Sequence, residues 1–527
     1  MQIHNAIAHL TQHLVDRMGE KISSVSADES RGEFVINCTF SSLPEICGAL
    51  FNNLHYSFAT MIVEESLPIR YIFYGDGIVV HVLTTMSERD RTLPSLTGQF
   101  HAADWHEREA EDLWGINFKG HPRLGEFVLH EEWPDGVNPM RPSFDGHKPY
   151  PHRQIDSRWQ PATILQAEGS FLMPIGPIFS DFAESAHFLL ETVGEDVLHT
   201  IPRFFYKYRG VEKIAENKSV SDVLLLAERF AGTSAFAHSL AFCHAVERLC
   251  SISVPWRATA LRIFLAELER IRHHVAGIAG ICSSTGLAVA TSQMSVLEEE
   301  LLRLTCTLTG HRYFFGMNVI GGLPQDISDD AVKSAVMRLS QIVGELNLLF
   351  DMLKVSGSFL DRIEEVGIVT EEKARSLGLV GPIARASGVP IDLRTSLPYG
   401  GYATAPQLSV PQESEGDGYA RLRVLMQEIE SSGTIISRIT AKMPDGPVKA
   451  GAIRFVSGSA LGWSEAPLGA SFHWIRIDKN GTVLRYRITP PSFTNWLGFH
   501  AAAENFAFQD FPIIMATFGL SNAECDR

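Results

Sequence analysis

Paired cysteines are missing from this chain. Its seven cysteines (Cys38, Cys47, Cys243, Cys250, Cys282, Cys306 and Cys525) include no C-x-x-C pair, and their number is odd. In a long chain, that usage implies reduced, mostly buried thiols in the cytoplasm rather than a disulfide framework. The first residues, Met1 to Leu10, hold no basic region and no apolar core of the secretory type. Long apolar runs are absent too. The longest uncharged stretch, 275–297, is loaded with Gly, Ser, Thr and Gln. It would insert poorly into lipid and is expected to form a buried helix–loop–helix. No G-x-G-x-x-G follows a strand and no Walker pattern occurs, so no local signal supports nucleotide binding. Positive charge is in deficit: a net charge of −16 leaves little to neutralise phosphates and argues against nucleic-acid binding.

What is present is an ordinary globular composition, 45% hydrophobic and 20% charged over 527 residues, enough for two or three domains. Residues 1–125 alternate short helical and strand-like segments and are expected to form a small α/β domain. Asn5–Met18 carries Ile7, Leu10 and Leu14 at helical spacing. Glu33–Phe40, Ala59–Val63, Ile69–Tyr74 and Ile78–Thr84 have the composition of strands, with Gly75-Asp76-Gly77 as a hairpin turn. Residues 126–170 are rich in Pro, Trp, His and Gly and form a connector draped over a surface. From 171 to 527 the pattern is mainly helical. One apolar stripe runs through Leu261, Phe264, Leu268, Ile271 and Val275, on a helix starting near Pro255. A second runs through Leu297, Leu301, Leu304 and Leu308. A third runs from Val332 to Phe350, with Ser328 placed to cap its start. Three such helices suggest a bundle, and 471–490 a β-hairpin. The expected class is α+β: a small N-terminal α/β domain, then a mainly α-helical domain with peripheral β-hairpins.

His106-Glu107-Arg108-Glu109 begins like a zinc-protease helix, but Ala110 stands where the second ligand would be. The longer string from Glu107 through Asp112, Trp114, Gly115, Phe118 and His121-Pro122 closely resembles the signature of the 30-kDa subunit of respiratory complex I. There it implies a docking element, and an Arg108–Asp112 pair at i,i+4 is the local alternative. Gly176-Pro177…Gly194-Glu195…Tyr206 to Glu216 resembles the entry to the 49-kDa subunit. In that family a histidine contributes to the quinone headgroup site; here the position is Phe179, which has no hydrogen-bonding group. His187 is either a displaced substitute or an ordinary surface histidine. Val254-Pro255…Arg262…Glu267…Arg270…His274 also matches the family. The last three share one helix face, either as a salt-bridged face or as a proton path. The resemblance continues through Gly321-Gly322, Gly381 to Gly388, Asp392, Arg394 and Gly416 to Arg421.

Leu226 to His238 has the frame of the first metal motif of nickel–iron hydrogenase large subunits. Glu228, Arg229, Gly232 and His238 are in place, but the two cysteine positions are Ala231 and Ser234. At the C-terminus the second pair of cysteine positions falls on Ser521 and Glu524, with Cys525 one residue off. Nickel and low-spin iron need thiolates, so no metal is expected here. The chain is similar to fused 30-kDa/49-kDa subunits and to large subunits of formate hydrogenlyase-type membrane hydrogenases, in a branch without the metal cysteines.

The resemblance implies a subunit of a complex I-like, NADH–quinone oxidoreductase-related complex, peripheral on the cytoplasmic face of the inner membrane. Its partners would be an iron–sulfur small subunit, a ferredoxin-like subunit, a membrane anchor and antiporter-like subunits. The iron–sulfur clusters would lie in the partners and none would be bound by this chain; NAD belongs to the wider complex, and a quinone is the candidate acceptor. Three functions follow from these expectations. In the first, a cavity lined by Phe179, Arg229, Ala231, Ser234, His238, Ser521 and Glu524 reduces a small acceptor. Arg229 would stabilise a reduced anion and His238 or Glu524 would donate protons, while Glu267, Arg270 and His274 link the event to ion translocation. In the second, the chain is a redox-silent scaffold between antiporter-like subunits and another soluble enzyme. The third, an active hydrogenase with unusual ligation, conflicts with the ligand chemistry.

Overall fold

The computed structural model describes residues 2–64, 68–86, 90–154, 169–178, 184–403 and 408–527. The N-terminal part begins with helix α1 (Gln2–Met18), followed by strands β1 (Ile22–Asp28) and β2 (Glu33–Cys38), helix α2 (Leu43–Gly48), and strands β3 (Ser57–Ile62), β4 (Ile69–Gly75) and β5 (Ile78–Thr84). They form one five-stranded sheet of order β1-β2-β5-β4-β3, in which only β2 and β5 run parallel. Asp76 and Gly77 both have positive φ, as a tight β4–β5 hairpin requires. β4 and β5 lack a polar face because both sides are covered. Phe73, Val80 and Val82 join the core shared with α1 and α2, while Ile72, Tyr74 and Val79 pack into the core of the helical part. The short β6 (Thr92–Pro94), helix α3 (Asp104–Trp114) and β7 (Asn117–Lys119) close this part.

Helix α3 docks the two parts. Arg108 lies over the Phe127 ring at 4.2 Å. The anticipated Arg108–Asp112 pair gives way to backbone capture: Asp112 Oδ2 accepts the N–H groups of Phe127, Val128 and Leu129 at 2.7–3.0 Å, which pins the start of the connector. Phe127, Val128 and Met140 of that segment are buried in the shared core.

Strands β8 (Phe171–Ile175), β9 (His187–Val193) and β10 (Asp196–Arg203) form an antiparallel sheet. The helical part follows with α4 (Val211–Ala215), α5 (Val220–Arg229), α6 (Ala235–Leu249), α7 (Trp256–Ser284), α8 (Ala288–Thr309) and α9 (Asp329–Lys354). Ser328 Oγ accepts the Ala331 N–H, the expected cap of α9. Short helices α10 (Gly357–Ile363), α11 (Glu371–Ser376), α12 (Gly381–Ala386) and α13 (Leu393–Ser396) lead to α14 (Gly418–Thr440), whose N-cap Asp417 accepts the Ala420 N–H. Helices α7, α8, α9 and α14 pack as a four-helix bundle. The 275–297 stretch is α7's end, a tight turn and α8's start. It is only partly buried, since Val289 and Val296 are 74% and 59% exposed on the outer face of α8. Among the described residues, no helix is long and apolar enough to cross a membrane.

Near the C-terminus, β11 (Gly458–Ala466), β12 (Gly469–Ile477) and β13 (Val483–Thr489) form a three-stranded antiparallel sheet, one strand more than the anticipated hairpin. Helix α15 (Pro491–Ala502), strand β14 (Phe506–Ala507), which adds to β10, and helices α16 (Phe511–Phe518) and α17 (Asn522–Cys525) complete the chain. The β11–β12 hairpin is wedged tightly. A Cβ on Gly462 would lie 2.2 Å from the Ala241 carbonyl of α6. On the other side, a Cβ on Gly381 would meet the Leu468 carbonyl of the hairpin turn at 2.1 Å, and Gly381 has a φ of +68°.

Candidate functional site

The two halves of the cysteine-less frame come together in space. Helix α5 ends at Arg229, a short turn carries Gly232 to Ser234, and α6 starts at Ala235. One turn into α6, His238 is fully buried, with Nε2 3.3 Å from Glu524 Oε1 on α17. Ser521 caps α17, its Oγ accepting the Glu524 N–H and donating to the Glu184 carboxylate at 3.1 Å. Ala231 is buried among Val223, Phe242 and Val246, and Ser234 is fully buried, with no hydrogen-bond partner for Oγ among the described residues. Arg229 points outward from the end of α5. Its side chain is 51% exposed, pairs with Glu228 at 3.3 Å and covers the Phe315 ring, while Glu228 turns inward to accept the Gly316 N–H at 2.6 Å. Phe179 lies outside the described residues. Cys525 is buried in the apolar core, which pushes its thiol well above the usual range; that environment disfavours a thiolate.

Residues with no distinguishing sequence signal complete the cluster. His238 Nδ1 lies 3.2 Å from His473 Nε2 and 3.0 Å from Ser471 Oγ, both on β12. His473 Nδ1 lies 2.6 Å from the Tyr486 hydroxyl on β13. Burial and the neighbouring His238 hold His473 well below the ordinary histidine range, so its ring is neutral. One assignment of protons then satisfies the whole string: Tyr486 O–H donates to His473 Nδ1, His473 Nε2–H to His238 Nδ1, and His238 Nε2–H to Glu524. The other Glu524 oxygen accepts the Ser492 N–H at the first turn of α15.

A second cluster lies across the hairpin. Strand alternation turns Gly462 and Ser464 toward α6, where Ser464 Oγ donates to the Ala237 carbonyl, and turns Glu465 the other way. Glu465 enters a network with Glu267, Arg270, Arg385, Asp392, Arg394 and Glu428, every member of which is almost fully buried. Arg394 joins Glu267 at 3.0 Å and Asp392 at 2.7 Å. Arg385 joins Glu428 at 2.8 Å and Glu465 at 3.0 Å. Arg270 bridges Glu267 and Glu428, and His274 Nε2 meets Glu428 at 2.9 Å. Tyr402 and Ser432 donate to Glu267 at 2.5 and 2.6 Å. Thus Glu267, Arg270 and His274, expected to share a face, meet in one buried network.

Three arginines face four carboxylates here, so full ionisation would leave one negative charge uncompensated in the interior. Burial works to raise Asp392, but Arg394 and Arg385 outweigh it and hold the carboxyl down to about 2. Glu267 and Glu428 are likewise held low by arginines against the cost of burial. Glu465 absorbs the imbalance: burial and the Asp392 carboxylate push it up to about 7, despite Arg385. Burial lowers His274, although Glu428 favours its charged form.

A third set of buried charges fastens α3. Glu109 bonds Arg487 at 2.6 Å and Arg527 at 2.7 Å, and Glu212 bonds Arg485 and Arg527 at 3.2 Å. His106, held well below its ordinary range by burial and Arg487, lies 3.2 Å from Arg487. The Glu107–Glu109 signature is therefore a structural latch. His187, at the start of β9, is half-buried on the wall of a cleft of about 1360 Å³ and is lowered by burial and Arg203.

The family models match on both sides of this latch. Residues 33–150 match the 30 Kd subunit of respiratory-chain NADH dehydrogenase, and residues 286–527 match its 49 Kd subunit. The chain belongs to the complex I 30-kDa/49-kDa subunit family. Formate hydrogenlyase subunit 5 of Escherichia coli K12 is 28% identical, over 98% of this chain and 94% of the relative. Hydrogenase-4 component G of the same organism is also 28% identical, over 85% of this chain and 78% of the relative. The C/D protein of the NADH-quinone oxidoreductase of Acinetobacter baumannii is 28% identical, over 85% and 82% respectively. The chain is a complex I-like oxidoreductase subunit in which both domain types are fused. Within that family frame, the motif residues Arg385, Asp392 and Arg394 are the cationic and anionic anchors of the bundle network. Sequence reasoning named these positions without a partner and missed Glu428 and Glu465. It also missed Ser471, His473 and Tyr486, which present only as alternating strand residues.

Proposed function

We propose that this chain is the acceptor-side subunit of a complex I-like enzyme. Electrons arriving from an iron–sulfur cluster in a partner reduce a quinone or another small acceptor, and the reaction is coupled to ion translocation. Two electrons and two protons convert a quinone to a quinol, so the site needs a proton supply as well as an electron donor. The carrying observation is the one-directional hydrogen-bond string from Tyr486 through His473 and His238 to Glu524. It occupies the frame in which metal-bearing hydrogenases hold their thiolates. The Glu524 carboxylate can take the His238 Nε2 proton and hand it to the acceptor. His238 then takes a proton at Nδ1 from His473 and His473 one at its own Nδ1 from Tyr486, so that each imidazole exchanges its N–H from one nitrogen to the other and the Tyr486 hydroxyl is reprotonated before the next turnover. Arg229, half-exposed at the surface, offers its cation to a reduced, anionic acceptor. Across the hairpin, Glu465 titrates near neutrality and offers a proton-storage group for the coupling step.

In the purified membrane complex, Arg229→Ala is expected to abolish quinone reduction while all subunits remain assembled. A wild-type rate in that variant would remove Arg229 from the assignment. Nickel is expected well below one per chain; a stoichiometric amount would restore the hydrogenase reading. The scaffold reading is favoured by one observation: Ser234, His238 and Glu524 are buried within this chain. An intact complex that turns over no quinone in the same assay would select it.

A further inference from the structure

Among the described residues, one group of histidine, cysteine or carboxylate side chains converges closely enough to hold a metal ion: His199, His500 and Glu504. It uses none of the residues of the His238 and Glu465 clusters. We propose that these three side chains form a divalent-metal site, for which zinc is the best-matched ion.

The backbone holds the three together from two directions. His199 lies on β10 directly after a shift in the β9–β10 register between Val197 and His199. Such a bulge re-aims the side chain that follows it. His500 lies in the last turn of α15, and Glu504 stands four residues later, just before the chain reverses through Asn505 at φ +55°. β14 then pairs back onto β10, Val197 opposite Phe506 and Asp196 opposite Ala507. Glu504 is thereby returned to His199 by main-chain hydrogen bonds rather than by side-chain attraction alone.

The donor atoms are near coordination distance already. His199 Nδ1 lies 3.3 Å from Glu504 Oε1, and His500 Nε2 lies 4.0 Å from the same oxygen. A tetrahedral zinc with ligands at about 2.0–2.1 Å places its donors roughly 3.3 Å apart. The His199–Glu504 pair already has that spacing, and all three donor atoms lie within 4.8 Å of one another, so closure on a metal asks mainly for His500 to draw in. The two imidazoles meet edge to face, with ring centroids 5.0 Å apart and planes at 87°, so they do not stack. Two imidazoles and one carboxylate are a donor set that zinc accepts, with the fourth position left for water or an exogenous ligand. His500 also lines the 1360 Å³ cleft, so that position is reachable from solvent.

This site is independent of the electron-transfer reading. Its test is a zinc titration of the chelator-stripped full-length chain, in competition with a chromophoric chelator and in a Cys306→Ser background, because Cys306 is an exposed thiol. The expected result is one zinc per chain at micromolar affinity or tighter. His199→Ala and Glu504→Gln should each weaken binding at least about tenfold, as removal of a direct ligand should. Cobalt in place of zinc should give visible absorption bands of a low-coordinate N/O site, absent from the His199→Ala/His500→Ala chain. Zinc should raise the melting temperature of the parent chain and leave that of the variants unmoved, which separates ligand loss from misfolding. Absence of zinc binding at micromolar concentration overturns the proposal. So does affinity unchanged in folded His199→Ala/His500→Ala protein.

Discussion

The two clusters on opposite faces of the β11–β12 hairpin are equally buried but are held by different physics. On the bundle face, arginines and carboxylates are fully ionised except where a fourth carboxyl exceeds the available positive charge. On the α6 face, His473 is kept neutral, and directional hydrogen bonds to a hydroxyl, a second imidazole and one carboxylate do the holding. The difference teaches where charge can be added. The bundle network has a preset vacancy for one proton at Glu465. The α6 string can only pass a proton on, because burial and His238 disfavour charge on His473.

The largest effect expected from breaking this contrast belongs to Arg394→Met. It leaves Glu267 and Asp392 buried without their main counter-charge, and urea denaturation should show a loss of about 3–5 kcal/mol. His473→Phe should cost less, about 1–2 kcal/mol, since it orphans the Tyr486 hydroxyl while Ser471 still serves His238. Equal losses from the two variants would erase the distinction between the clusters. Glu465→Gln is the finest probe, and its readout is the pH dependence rather than the size of stability. The folded carboxyl is raised to about 7 from an ordinary value near 4.5, so its contribution is fully present below 4.5 and is lost as pH rises through 7. The parent chain should therefore lose stability across that window by an amount that Glu465→Gln removes, and a protonated-carboxyl infrared band should disappear with the substitution. Identical pH profiles of parent and variant would place the missing proton elsewhere in the network.

Much of the scaffold was legible in the sequence because it rests on local periodicity. β4, β5 and the helices α7, α8 and α9 carry unbroken apolar patterns, and Ser328 marks a helix start in its own right. β1 was not legible: Ile22-Ser-Ser-Val-Ser-Ala-Asp28 is mostly exposed and owes its strand to pairing with β2. β11 was missed for the opposite reason. Its Gly-Ser-Ala-Leu-Gly-Trp-Ser-Glu-Ala sequence has small residues because another element presses on it, which no local pattern reveals. At the candidate site, the spacing of Glu267, Arg270 and His274 announced a shared helix face. Their burial depends on Arg385, Arg394, Glu428 and Glu465, up to about two hundred positions away, where sequence spacing carries no distance information. Arg229 illustrates the converse: its motif position was plain, but its outward direction was set by Glu228 turning inward to the Gly316 amide.

Gly462 gives the hairpin a mechanical property. Its missing side chain lets β11 rest against the backbone of α6, and its cross-strand partner is His473. One methyl group at this position would act as a shim, lifting the strand from the helix. His473 would be drawn away from His238 on one face, while Glu465 would be driven toward the arginines on the other. The two clusters thus share a single thickness gauge, and the gap that a proton must cross on one face cannot be altered without changing the electrostatic balance on the other.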